Sequence, residues 1–275
     1  MTLTRYNIGR MRDVALAILF IIAASLTTEG RGSVAGAREP LRERQARVAA
    51  DSITAGYEAW TTLLLDGKLR TDGLPVSPSL RVFMDYGRKL MISVRAPLLG
   101  EVGRIEVDTD TVLLVNKMKK VYAKEALSDL PSNIPAGLRD IQCLLLGRVA
   151  VGGEGELDRD NFHLADFYPD AGGGWIVVPK EKAQPEGAAY GFVVDADGYL
   201  EAFMLTVPGG SDTATILYSY PGDGIDLTVD LKTGKRQTIV DMELDKPRWG
   251  ASPFDSIKIN SKYRKTDING FLKSF

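Results

Sequence analysis

The chain has 275 residues, of which 44% are hydrophobic and 25% charged, with a formal net charge of −2 and one cysteine. That length supports a sizeable core, in one large domain or two small ones. The charge balance gives nothing that points to nucleic acid, and a lone cysteine excludes an intramolecular disulfide.

Arg5, Arg10 and Arg12 precede an uncharged apolar run from Val14 to Leu26. Its 13 residues fit the core of an export signal and fall short of the roughly 20 needed to span a bilayer. Small residues at Gly30 or in Ala35-Gly36-Ala37 offer a cleavage point. Residues 1–37 are therefore expected to be a signal peptide and 38–275 the mature domain, in the periplasm or cell envelope. An uncleaved N-terminal anchor or a buried helix is the alternative. Ser25-Leu26-Thr27-Thr28 stands where a lipoprotein would carry its lipid-attachment cysteine, so lipidation is not expected.

Residues 38–56 are arginine-rich with helical composition, Leu41, Val48 and Ala55 making one weakly apolar side. From Tyr57 the period changes to two, through Leu63 and Leu65, and Asp66-Gly67 reads as a turn. Asp72-Gly73-Leu74-Pro75 reads as a further break. Short alternating strands follow at Leu80–Met84, Lys89–Val94, Arg104–Val107, Val112–Val115 and Lys120–Tyr122. Between them stand Asp85-Tyr86-Gly87, Pro97-Leu98-Leu99-Gly100, Asp108-Thr109-Asp110 and Asn116-Lys117, the kind of reversals short antiparallel strands need.

One helix is predicted from Pro135 to about Gly147. Proline suits its first turn, Leu138, Ile141 and Leu145 share a face, and Gly147 can end it. Glycine-rich residues 151–174 read as a long loop. Strands resume at Trp175–Val178, Tyr190–Val194, Tyr199–Leu205, Ala214–Tyr220, Leu227–Val229, Gln237–Leu244 and Ser256–Ile259, with turns at Asp195–Gly198 and Lys232–Gly234. About eleven strands, two or three helices and no βαβ alternation give a mainly β (α+β) fold, one antiparallel sheet or open barrel with few covering helices.

Reactive chemistry is sparse. His163 is the only histidine, it falls in a loop, and no Gly-x-Ser-x-Gly elbow accompanies it. Cys143 sits in an apolar run and reads as a small buried hydrophobe. Asp158–Asn161 and Asp195–Gly198 echo calcium loops but lack the spaced ligands; turn chemistry accounts for Asp195–Gly198, and the acidic loop 154–160 reads as a solvated segment. No catalytic residue, metal site or cofactor is expected.

Lys89–Tyr122 and Asp140–Gly147 together resemble an uncharacterised family of bacterial envelope lipoproteins with the LolA/LolB-like half-barrel fold. The resemblance rests on Ile92-Ser93-Val94, Leu99-Gly100-Glu101, Arg104-Ile105, Val115-Asn116-Lys117, Lys120-Val121-Tyr122 and Leu145-Leu146-Gly147. It implies a curved sheet of about eleven strands with helices lining a hydrophobic concavity, which in characterised relatives receives lipoprotein acyl chains. The missing lipid-attachment cysteine departs from that pattern.

These expectations give a non-enzymatic envelope protein that holds an acyl chain or a lipidated protein. The candidate cavity residues are Leu90, Ile92, Val94, Ile105, Val121, Leu138, Ile141 and Leu145. Leu98 and Leu99, in a loop, are candidates for a rim or for transient contact with a membrane or envelope protein. Two other readings stay open: a packed interaction subunit of an outer-membrane or surface assembly, and an exported hydrolase.

Overall fold

A computed structural model describes residues 39–70, 77–127, 137–180, 189–206 and 213–274. The expected signal peptide, the break at Asp72–Pro75 and the helix start at Pro135 lie outside them.

The first six strands form an antiparallel meander: β1 (Thr62–Arg70), β2 (Ser79–Asp85), β3 (Lys89–Ala96), β4 (Gly100–Asp108), β5 (Thr111–Asn116) and β6 (Val121–Ala126). A second meander comprises β7 (Ala165–Pro169), β8 (Trp175–Pro179), β9 (Ala189–Val194), β10 (Leu200–Thr206), β11 (Thr213–Ser219), β12 (Ile225–Thr233) and β13 (Arg236–Leu244). Pairing of β1 with β13 joins them, with Gly67 opposite Leu244 and Arg70 opposite Asp241. Two short strands complete the sheet. β14 (Arg248–Trp249) pairs with β1, and β15 (Arg264–Thr266) adds to β6 in parallel. The sheet runs from β15 to β7 without closing. It is an open, curved, mainly antiparallel half-barrel.

Among the described residues there are fifteen strands where alternation predicts about eleven, with β7, β14 and β15 added, and three further local features depart from the expectation for physical reasons. Asp66-Gly67 is not a turn but the middle of β1. A methyl group on Gly67 would lie 2.3 Å from the Glu243 carbonyl oxygen, so glycine serves the close approach of β13. Residues 151–174 are not a plain loop, because they hold a 3-10 turn at Phe162–Leu164 and the edge strand β7 with Phe167 fully buried. Ser256–Ile259 alternates like a strand yet pairs with none. It belongs to a strap across the outer face of the sheet. There Arg104 donates to the Asp255 carbonyl and stacks on Phe254, Ile257 N–H donates to Glu106, and Lys89 donates to Ser256.

Among the described residues three α-helices cover the inner face. In α1 (Glu43–Thr54) the buried side is Ala46, Ala49, Ala50 and Ile53, while Val48 is exposed. These small residues let the helix lie close to the β9–β10 turn, where a methyl on Gly198 would sit 3.0 Å from the Ser52 carbonyl oxygen. α2 (Leu138–Leu145) ends at Gly147, whose φ of 62° is the left-handed conformation that favours glycine at a helix end. α3 (Ile268–Leu272) is capped by Asp267, which accepts from Gly270 N–H.

Candidate functional site

Alternation sends Leu90, Ile92 and Val94 of β3, and Ile105 of β4, to one face of the sheet. Cross-strand pairing then sets Ile92 opposite Ile105, and Ile105 opposite Leu114. Val121 of β6 and Leu138, Ile141 and Leu145 of α2 join the same cluster, and all eight candidate cavity residues are buried in it. Among the described residues the inner face is lined by packed side chains. Of the described concavities, one of about 410 Å³ lies on the outer face of β1–β3, lined by Asp66, Lys68, Arg81, Arg95 and Glu243 among others. Its charged walls do not suit an acyl chain.

Two helices close the inner face in different ways. α2 is pinned by polar bonds to both meanders. Gln142, fully buried, accepts from Gly87 N–H and donates to the carbonyls of Asp85 and Lys89 on the β2–β3 hairpin. Two residues on, Tyr218 on β11 donates to the Leu144 carbonyl. The helix thus bridges the two meanders.

Asp140 adds a third anchor, accepting from the main-chain N–H groups of Gly137, Gly153 and Gly155. Burial outweighs these bonds and pushes its carboxyl up to about 6. The same helix buries Cys143 completely, which pushes the thiol well up, as expected of a small buried hydrophobe.

α3 is held differently. Phe271 enters the core, with Ile268 and Leu272 packed against it, but its described side-chain bond to the sheet is Asn116 Nδ2 to Ser274 Oγ. The chain reaches this position from the outer-face strap, rounding the sheet edge through β15, where Arg264 N–H donates to the Lys120 carbonyl. Among the described contacts α3 is seated by packing of Phe271, Ile268 and Leu272, whereas α2 is held by a polar lattice. Neither the strap nor the role of Phe271 is read from the sequence. The apolar residues near the C-terminus were the available signal.

On the outer face, Glu101 accepts from Ser93, Arg104 and Lys117. Burial acts to raise its pKa, but these donors prevail and hold the carboxyl below the ordinary range. Arg104 also meets Glu106 and the strap. The network uses its charges to fix β3, β4, β5 and the C-terminal segment together.

Nothing described assembles a reactive centre. His163 is exposed in the 3-10 turn, with its ring against Phe162. Asp158 and Asp195 accept from nearby main-chain N–H groups, as turn residues do. Among the described residues no group of three or more His, Cys, Asp or Glu side chains gathers as a metal site would need. Leu98 and Leu99 stand apart from the core, exposed in the β3–β4 turn.

No known protein family and no curated protein matches the chain. Among solved structures it is similar to a putative outer membrane lipoprotein-sorting protein domain from Vibrio parahaemolyticus, with TM-score 0.44 and 12% identity over 84% of this chain and 100% of that one. It is also similar to a DUF1329 family protein from Desulfovibrio piger, with TM-score 0.45 and 8% identity over 77% and 95%. A third is a LolA superfamily protein from Nitrosomonas europaea, with TM-score 0.34 and 10% identity over 78% and 96%.

Proposed function

We propose that this chain is a non-enzymatic cell-envelope protein that takes an acyl chain, free or on a lipidated protein, between its half-barrel and the helices on the inner face. The observation that supports this reading is the inner face itself. It is a continuous apolar surface on an unclosed sheet, covered by helices of 12, 8 and 5 residues. An acyl chain and a packed side chain make equivalent contacts with such a surface, at about 0.8 kcal/mol per buried CH₂.

The ligand enters in exchange for a helix, because the described side chains of the inner face are packed against one another. α3 is the helix to move. It is the shortest, and its hold depends on Phe271, whereas displacing α2 would strand Gln142 and Asp140 together with their buried main-chain partners. The acyl chain then lies along Leu90, Ile92, Val94, Ile105 and Val121, beneath Leu138, Ile141 and Leu145. Export through residues 1–37 would bring the protein to the envelope, and no cofactor takes part. Among the described residues no helix is long and apolar enough to cross a membrane.

Native mass spectrometry of the protein purified from its own envelope tests the reading. A stoichiometric acyl-chain adduct supports it. A clean apo mass, unchanged after incubation with lipids and a lipopeptide, contradicts it. The second reading, a packed interaction subunit, draws on the burial of all eight candidate residues and predicts that apo mass.

A further inference from the structure

The concavity of about 410 Å³ on the outer face is walled by two rows of side chains that run across the strands. In the first row Lys68 of β1 faces Ser79 of β2, and Ser79 faces Arg95 of β3. In the second, two residues along, Asp66 faces Arg81. Alternation turns both rows outward, since the intervening Leu65, Leu69, Leu80, Val82 and Val94 are buried in the core. A second concavity of about 330 Å³ continues toward the β3–β4 turn, and Ser79 and Arg95 line both. The row of Lys68, Ser79 and Arg95 thus stands where the two meet.

The charges of this surface are unequally engaged. Asp66 accepts from Arg81 and Arg248. Glu243, which faces Lys68 from β13, is paired instead with Arg70. Glu101, which faces Arg95 from β4, accepts from Ser93, Arg104 and Lys117. Lys68 and Arg95 take part in none of the described ion pairs, and neither does Asp245, which lines the concavity beside Asp66. The nearby acids are held by other cations. What is left is two positive groups with a hydroxyl between them, and one carboxylate across from them. Over two strand spacings the backbones of Lys68 and Arg95 are roughly 10 Å apart. Two long side chains can close that span over a single tetrahedral anion seated on Ser79.

We infer that this groove binds a small phosphorylated sugar. The phosphate monoester lies on the row, accepting from the Lys68 ammonium, the Ser79 hydroxyl and the Arg95 guanidinium. Near neutral pH it carries close to two negative charges, which the two cations match and a single carboxylate would not. The sugar ring extends over Gly67 and Leu80 toward Asp245, whose carboxylate accepts from the ring hydroxyls. The volume falls within the range of roughly 300–1,000 Å³ common to small-molecule sites. This groove lies on the face opposite the apolar cluster and does not depend on an acyl chain entering the core.

An NMR titration of the isotope-labelled, full-length protein with glucose-6-phosphate, at constant ionic strength, tests the inference. Inorganic phosphate and glucose are the comparison probes. The expected result is saturating amide shifts at and beside Lys68, Ser79, Arg95 and Asp245, affinity for inorganic phosphate lower by about tenfold, and no response to glucose. Lys68→Gln with Arg95→Gln should abolish the shifts. Asp245→Ala should reduce affinity for the sugar phosphate to that for inorganic phosphate. All of these side chains are exposed, so the native spectrum should persist. If the paired change loses it, each single change serves instead and should weaken binding about tenfold. No saturating shifts at these residues, or shifts indifferent to the lysine and arginine changes, overturn the inference. Equal affinity for inorganic phosphate and glucose-6-phosphate overturns the sugar part and leaves a bare oxyanion site.

Discussion

Gly67 on β1 and Glu243 on β13 approach so closely that a methyl group on the glycine would lie 2.3 Å from the Glu243 carbonyl oxygen. This is where the two meanders become one sheet. Gly67→Ala is expected to destabilise the protein by about 2 kcal/mol, through overpacking against a backbone that cannot move aside. A lowered midpoint in urea with an unchanged slope checks this.

Ile92 lies opposite Ile105 and is 3% exposed. Ile92→Asp, which would otherwise serve as a probe of ligand binding, should unfold the domain, since it buries a carboxylate without a partner. Ile92→Ala should cost about 2–5 kcal/mol and leave a cavity. Circular dichroism separates the two: native signal with a lowered Tm for alanine, a lost signal for aspartate.

Asp140 makes stability depend on pH. Its folded pKa of about 6 lies above the ordinary 3.8, so the folded state binds a proton more firmly than the unfolded chain. Stability contributed by Asp140 should therefore rise as pH falls through about 6, levelling below the unfolded value, with a gain of about 3 kcal/mol at most. Glu101 acts in the opposite direction at lower pH. Its depressed pKa gives stability above its unfolded value that is lost as pH falls through the folded one. Urea midpoints between pH 7 and 5 should show the Asp140 contribution, and Asp140→Asn should remove that slope.

Phe271 is 2% exposed and seats α3 in the core. Phe271→Ala should cost about 3–5 kcal/mol of stability and, with α3 loosened, increase uptake of a fluorescent fatty acid. Gln142→Ala, which loosens α2 instead, should lower stability without that increase. Parallel titrations of the folded variants decide between the helices.

How much of this was legible in the sequence depends on where each backbone finds its partners. β3, β4 and β5 were legible because alternation and turn residues agree over Lys89–Asn116, and α2 because its leucines and Gly147 agree. Asp66-Gly67 misled because the same dipeptide serves a hairpin turn and a close contact within a strand, and only the position of β13 decides which. Ser256-Ile257-Lys258-Ile259 has the period of a strand, yet the strap's bonds run to the Arg104 and Glu106 side chains, which no local pattern announces.

The candidate site was legible as an apolar set but not as a filled one. Leu90, Ile92, Val94, Ile105, Val121, Leu138, Ile141 and Leu145 all meet in the core. Whether such residues line a void or pack together depends on α3, where the apolar residues of Ile268–Leu272 come from a distant part of the chain.

The most direct test of acyl binding is photo-crosslinking with a fatty acid that carries a diazirine near its methyl end, followed by peptide mapping. The account predicts labels on β3, β4, β6 or α2, at or beside Leu90, Ile92, Val94, Ile105, Val121 and Ile141, with an excess of unlabelled fatty acid preventing them. Labels confined to the Leu98–Leu99 turn and the outer face, or none above a control without light, would contradict it.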